Sequence, residues 1–291
     1  MNDKLSGFFL ASALFTGAFV VGCSGLMLGK AAYTGTVKSA DGSIIHYSVA
    51  GQGDTALVFV PCWTCDNSFW TRQLDYFSNR YQVVSLDLAG HGQSGNQRSQ
   101  YTMEAFGQDV VAVANKLQLK QIVLIGHSMG GPVAMTAAQR LGKRVVGIVG
   151  VDTFYTPFVY PKSTEQINAF VQPFRDDYVG TTTAMVKSLF PPQADPALVS
   201  QTVEYFSKTD PKVGVSAMYE LFNWSASHRD AALNQFSHQL RNINADPENK
   251  GQPVNASVVL IPGVGHFVAQ ENPDAFNQAL DGILNDFGVA R

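Results

Sequence analysis

The chain has 291 residues, enough for one large or two small domains. Its 20 basic and 23 acidic residues leave a net charge of -3 with no basic run, which argues against a nucleic-acid partner. At 45% hydrophobic and 15% charged residues it is no disordered chain, and its three cysteines are too few for a disulfide scaffold.

Behind Lys4, residues 5–28 carry no charge. Such a stretch reads as a signal segment or a single membrane span. Within it, Val20-Val21-Gly22-Cys23 resembles a bacterial lipobox, in which a peptidase cuts before a cysteine that becomes lipidated. The expectation is therefore a removed signal over 1–22, a lipid on Cys23 and a linker over 23–33. An uncleaved helix, or an ordinary signal peptide with an incidental Cys23, are the alternatives. All three export the folded domain or set it beside a membrane, and the first gives a membrane-anchored lipoprotein facing the periplasm or the cell exterior.

Regular patterning begins at Tyr33. Residues 34–38 and 44–50 flank an Asp41-Gly42 turn, a hairpin signature. A short apolar run over 57–60 leads into an amphipathic stretch at 68–78 and a buried-type strand at 82–87. Helical spacing of Phe106, Val110, Val113 and Leu117 predicts a helix over 103–117. A strand at 121–126, a helix at 129–141 and a strand at 145–151 follow. This alternation predicts an α/β fold, its mostly parallel sheet covered by helices on both faces and edged by the antiparallel hairpin. Residues 154–234 break the rhythm. Rich in Phe, Tyr and Pro, they read as a helical cap insertion of about eighty residues. Strands at 239–245 and 256–261 and a helix at 273–287 resume the pattern, giving a core of 34–153 and 235–291.

The chemistry converges on Gly126-His127-Ser128-Met129-Gly130-Gly131, which joins a predicted strand to a predicted helix. A sharp turn there puts the Ser128 hydroxyl on a strained, exposed corner, and the helix N-terminus favours a developing oxyanion. A serine nucleophile needs a base, and the base needs an orienting group. His266, in Pro262-Gly263-Val264-Gly265-His266-Phe267 directly after the last predicted strand, is the candidate base. His127 reads as structural and His91 as a holder of its own loop at 87–94. His46, His228 and His238 have no supporting pattern. Two acids end predicted strands, Asp246 and Asp152. No Cys/His cluster has zinc-ligand spacing, so no metal site is expected.

The serine turn, the 87–94 loop, the His266 loop and the order of segments resemble the α/β-hydrolase superfamily, in its cap-bearing esterase- and lipase-like branch. The resemblance covers about 34–288. Its place after the penultimate predicted strand, in the family order of Ser, Asp, His, makes Asp246 the favoured acid, with Asp152, where some hydrolases carry theirs, as the alternative. It also implies an oxyanion hole made by the backbone N–H groups of Trp63 and Met129. Where family members commonly carry His-Gly, this chain has Pro61-Cys62-Trp63-Thr64-Cys65. Cys62 and Cys65 are expected to brace that loop, as a disulfide or as two thiols, and not to do redox chemistry. The link between Asp246 and Val258 leaves little room for the helix the family often has there. The resemblance implies a serine hydrolase, foremost a carboxylesterase on small to medium acyl esters, working through an acyl-enzyme without metal or organic cofactor. A hydrolase-fold ligand receptor, an inactive scaffold, and amidase, peptidase, carbon–carbon hydrolase, acyltransferase or cofactor-free haloperoxidase activities are the alternatives. The sequence leaves the oligomeric state open.

Overall fold

The computed structural model describes residues 32–289; the uncharged N-terminal segment and Cys23 lie outside the described residues. Eight strands form one sheet: β1 (Tyr33–Lys38), β2 (Ile44–Ala50), β3 (Thr55–Val60), β4 (Gln82–Leu86), β5 (Gln121–His127), β6 (Val145–Val151), β7 (Leu240–Asp246) and β8 (Val258–Pro262). Their spatial order is β1-β2-β4-β3-β5-β6-β7-β8. Only the pairings of β2, to β1 and to β4, are antiparallel; the others are parallel. The predicted hairpin thus forms the edge, and the fold class is the one expected.

Strand β3 is buried along its whole length. Because successive side chains point to opposite faces, it feeds two cores. Leu57 and Phe59 join Trp70, Val123 and Phe276 on one side, while Ala56, Val58 and Val60 join Phe106, Leu124 and Val133 on the other. The first core lies under α1 (Thr71–Phe77), the second under α2 (Met103–Lys116) and α3 (Gly130–Leu141). So the connections on either side of β4 run over opposite faces, and β3 and β5 are neighbours although β4 lies between them in sequence. Such a reversal of winding opens a crevice at the carboxyl ends of the two strands.

Between β6 and β7 come four helices: α4 (Thr164–Asp176), α5 (Tyr178–Ser188), α6 (Pro196–Ser207) and α7 (Pro211–Phe236). They fall in the stretch that broke the strand–helix rhythm. Asp177, Asp195 and Asp210 each accept a backbone N–H at a helix start, which explains where α5, α6 and α7 begin. Pro stands in the first turn of α6 and α7, where its missing N–H costs nothing. After β8 come the short α8 (Val268–Glu271) and α9 (Pro273–Asp286). No helix lies between β7 and β8, as the short link foretold. Among the described residues no helix is long and apolar enough to cross a membrane.

Candidate active site

Ser128 is the first residue past β5 and has φ 53°, a left-handed backbone that a side chain rarely adopts. Its N–H donates to the Val151 carbonyl at 2.9 Å, docking the turn on the end of β6. Gly130 lets the turn approach β3: a Cβ there would stand 2.5 Å from the Val60 oxygen and 2.7 Å from that of Pro61. The sequence requires glycine at this position because two backbones meet.

Asp152 is the first residue past β6 and is also left-handed, with φ 43°. One carboxylate oxygen accepts the Ala245 N–H at 3.0 Å; the other lies 2.6 Å from Nδ1 of His266. The His266 and Asp152 side chains retain 17% and 12% of their exposure, enough to face a cavity while staying largely dry. Asp246, the acid favoured from the sequence, is not brought to His266. Its two oxygens accept the N–H groups of Lys250 and Gly251 at 2.9 and 2.8 Å. The helix-free link between β7 and β8 needs a carboxylate to close its first turn, and Asp246 serves there. The choice of Asp246 is corrected accordingly: Asp152 is the acid the structure sets against the imidazole, and the order Ser, Asp, His is kept.

The main chain around His266 is held on every side. Its N–H donates to the Leu189 carbonyl at 2.9 Å, from the turn after α5. Its own carbonyl lies 2.8 Å from Nε2 of His127. Glu271 accepts the N–H of Gly265, at 3.0 and 3.1 Å, and that of Phe267, at 3.2 Å. Burial raises the Glu271 pKa and these N–H groups oppose the rise. Gly265 has to be glycine, since a Cβ would lie 2.3 Å from the Leu189 oxygen. His127, read from the sequence as structural, is one of these supports; Glu271 and Leu189 were not found from the sequence. A carboxylate five residues past a histidine was the available signal for Glu271; nothing signalled Leu189.

Trp63 and Met129 are both buried, Met129 at the N-terminal cap of α3. Nε1 of Trp63 donates to the Gly214 carbonyl of α7 at 2.8 Å, and its ring packs against Phe174, Tyr178 and Phe206. A single residue of the β3 loop thereby touches all four helices of the insertion. Cys62 and Cys65 are joined by a disulfide across Cα atoms 5.1 Å apart, and Thr64 between them has φ 59°. His91 is buried in its loop, with Nδ1 3.0 Å from the Ala89 carbonyl, as its loop-holding reading requires. Asp87 accepts the N–H groups of Asn67 and Gln93 and organises the same loop.

A cavity of about 690 Å³ is lined by Ser128, Asp152 and His266 together with Trp63. Its far wall is aromatic and comes from the insertion, where Phe158, Phe170 and Phe222 meet one another at 4.7 to 5.9 Å between ring centres. A cleft of this size, apolar with a few convergent polar groups, has the proportions of a small-molecule site.

Residues 55–238, more than half of the chain, match the model of the alpha/beta hydrolase fold family, and the chain belongs to that family. It is 32% identical over 110 residues to 3-oxoadipate enol-lactonase 2 of Acinetobacter baylyi, a match spanning 38% of this chain and 41% of the relative. The chain thus spans about two fifths of the length of such curated relatives. An esterase of Thermogutta terrifontis superposes with TM-score 0.71 at 22% identity, covering 88% of this chain and 99% of that one. A bromoperoxidase of Bacillus anthracis does so with TM-score 0.72 at 20% identity, covering 87% and 100%. At such identities the two structures speak for the fold alone.

Proposed function

We propose that the protein is a serine hydrolase acting on carboxylic esters of small to medium acyl groups. The observation that carries this reading is the Asp152–His266 contact of 2.6 Å in the cavity that also holds the left-handed Ser128. Ser128 Oγ attacks the ester carbonyl while Nε2 of His266 takes its proton. Asp152 accepts Nδ1–H, selects that tautomer and stabilises the imidazolium that forms. The backbone N–H groups of Trp63 and Met129 receive the oxyanion of the tetrahedral intermediate. His266 then protonates the leaving alcohol and later activates the water that releases the acid from the acyl-enzyme. The aromatic wall of the insertion, acting as a cap, takes the acyl group. The lactonase relative acts on an internal ester by its name, which is in keeping with this reaction class.

The reading extends to location. The lipobox-like run gives a mature chain that starts at a lipidated Cys23 and holds the hydrolase at a membrane surface outside the cytoplasm. A fluorophosphonate probe tests the chemistry: it labels the wild type and spares Ser128→Ala, and equal labelling of both removes the assignment. Turnover of p-nitrophenyl esters over many cycles separates an enzyme from a receptor that reacts once. Mass spectrometry of the membrane fraction from a bacterial host tests the anchor; an unmodified or intact Met1 terminus contradicts it.

A further inference from the structure

His127 is the last residue of β5, directly before the nucleophile, and the proposed mechanism gives it no task. It is 2% exposed, with the rings of Trp70 and Phe267 standing edge-on at 6.2 and 5.8 Å. A histidine walled by aromatics is ordinary core packing unless its polar edge is committed. Here Nε2 lies 2.8 Å from the carbonyl oxygen of His266, 139 residues away in sequence. A carbonyl only accepts, so Nε2 carries the proton and donates. The backbone of His127 continues directly into Ser128, whose own N–H is held by Val151. One residue therefore bridges the main chain of the serine turn and the main chain of the base.

We propose that His127 is a positioning residue: a strut that sets the separation of Ser128 and His266 by tying the serine turn to the His266 carbonyl. The inference rests on the serine-hydrolase reading. The other supports of the His266 loop leave this separation open. Glu271 grips the neighbouring N–H groups from within the loop's own element, and Leu189 belongs to the insertion. Of the polar contacts to the His266 main chain, the one from His127 comes from β5, which carries the nucleophile. A misplacement of about 1 Å can cost about 10²-fold in rate, so loss of the strut is read in kcat and in the rate of acylation, while KM stays near its wild-type value.

The test compares His127→Leu and His127→Met, which keep the apolar bulk without the donor, with His127→Gln, whose amide can donate at similar reach. The readouts are kcat and KM on a p-nitrophenyl ester, the rate of fluorophosphonate labelling, and amide hydrogen exchange over residues 262–268. The expected result is a kcat and labelling rate lowered roughly 10- to 100-fold in the Leu and Met variants, near-normal KM, and restoration in the Gln variant. Exchange over 262–268 is faster in Leu and Met than in the wild type and Gln. Folded Leu or Met variants with wild-type kcat overturn the proposal, as does a folded Gln variant no better than they are. If neither apolar variant folds, a folded Gln variant that has lost activity overturns it on its own. Wild-type protein without turnover or labelling fails the hydrolase reading instead. The strut then stands or falls on hydrogen exchange, and equal protection in all variants removes it.

Discussion

Asp152 gives each of its carboxylate oxygens to a different strand end, one to the Ala245 N–H of β7 and one to the imidazole carried beyond β8. Asp152→Asn presents an amide to Nδ1 and favours the wrong tautomer; in a serine protease that change costs about 10⁴ in kcat. A loss of that order is expected here with the fold intact. Asp246→Asn instead weakens the turn at 246–251 by about 2 kcal/mol and leaves kcat close to wild type. Steady-state kinetics of both variants, with thermal melts, check the pair; the reverse pattern restores Asp246 as the acid. Ser128 and His266 were legible because each sits in a glycine-rich turn after a clear strand. The acid was not, because both candidates end strands. What separates them is the left-handed turn at Asp152 and the N–H groups that occupy Asp246, and neither leaves a mark in composition. A pH effect follows from buried His91, whose pKa burial holds down to about 4. The unfolded chain binds that proton near pH 6.5, so between these values it holds more protons than the folded one and stability falls as pH drops. Asp87 and Glu271, pushed up by burial, act in the opposite direction, so the difference is the measurement. Denaturant melts should show the stability gap between wild type and His91→Gln narrowing by about 2 kcal/mol from pH 6.5 to 5. A constant gap contradicts the shift.

At the level of elements, the β3 loop joins two functions in five residues. Trp63 offers its backbone to the proposed oxyanion hole and its indole to the insertion, between cysteines that are bonded. Replacing Cys62 and Cys65 together with Ser should lower kcat without abolishing it, since losing one oxyanion donor outright costs about 10²–10³. A double variant with full esterase activity but lost disulfide-exchange activity would point to redox chemistry. The insertion walls the cavity with rings, and Phe222 touches Phe158, Tyr160 and Phe170. Phe222→Ala should move the optimum of a p-nitrophenyl ester series toward longer acyl chains, each methylene accommodated being worth about 1–3 kcal/mol in kcat/KM. An unchanged optimum means the acyl group lies elsewhere. The strands and flanking helices were readable because alternation and helical spacing report burial directly. The order of the four insertion helices against the site was not, because it depends on long-range contacts such as that of Trp63 with Gly214, 151 residues apart.

Across the whole molecule, the sheet brings the ends of β3, β5, β6 and β8 to one rim, and the insertion between β6 and β7 closes over it. The hydrogen bond from the His266 N–H to Leu189 then carries a consequence for turnover. The same turn stacks Phe190 on Phe267 at 4.8 Å. If the insertion were a plain shutter, loosening it would expose Ser128 and speed its capture by a probe. Phe190→Ala, which widens the cavity and frees that turn, should instead slow fluorophosphonate labelling, because the base loses its hold as the door opens; faster labelling would show a shutter. Under the proposed reaction, slower labelling would mean that door and trigger are one part, and that an ester is cleaved only while the insertion stays in place.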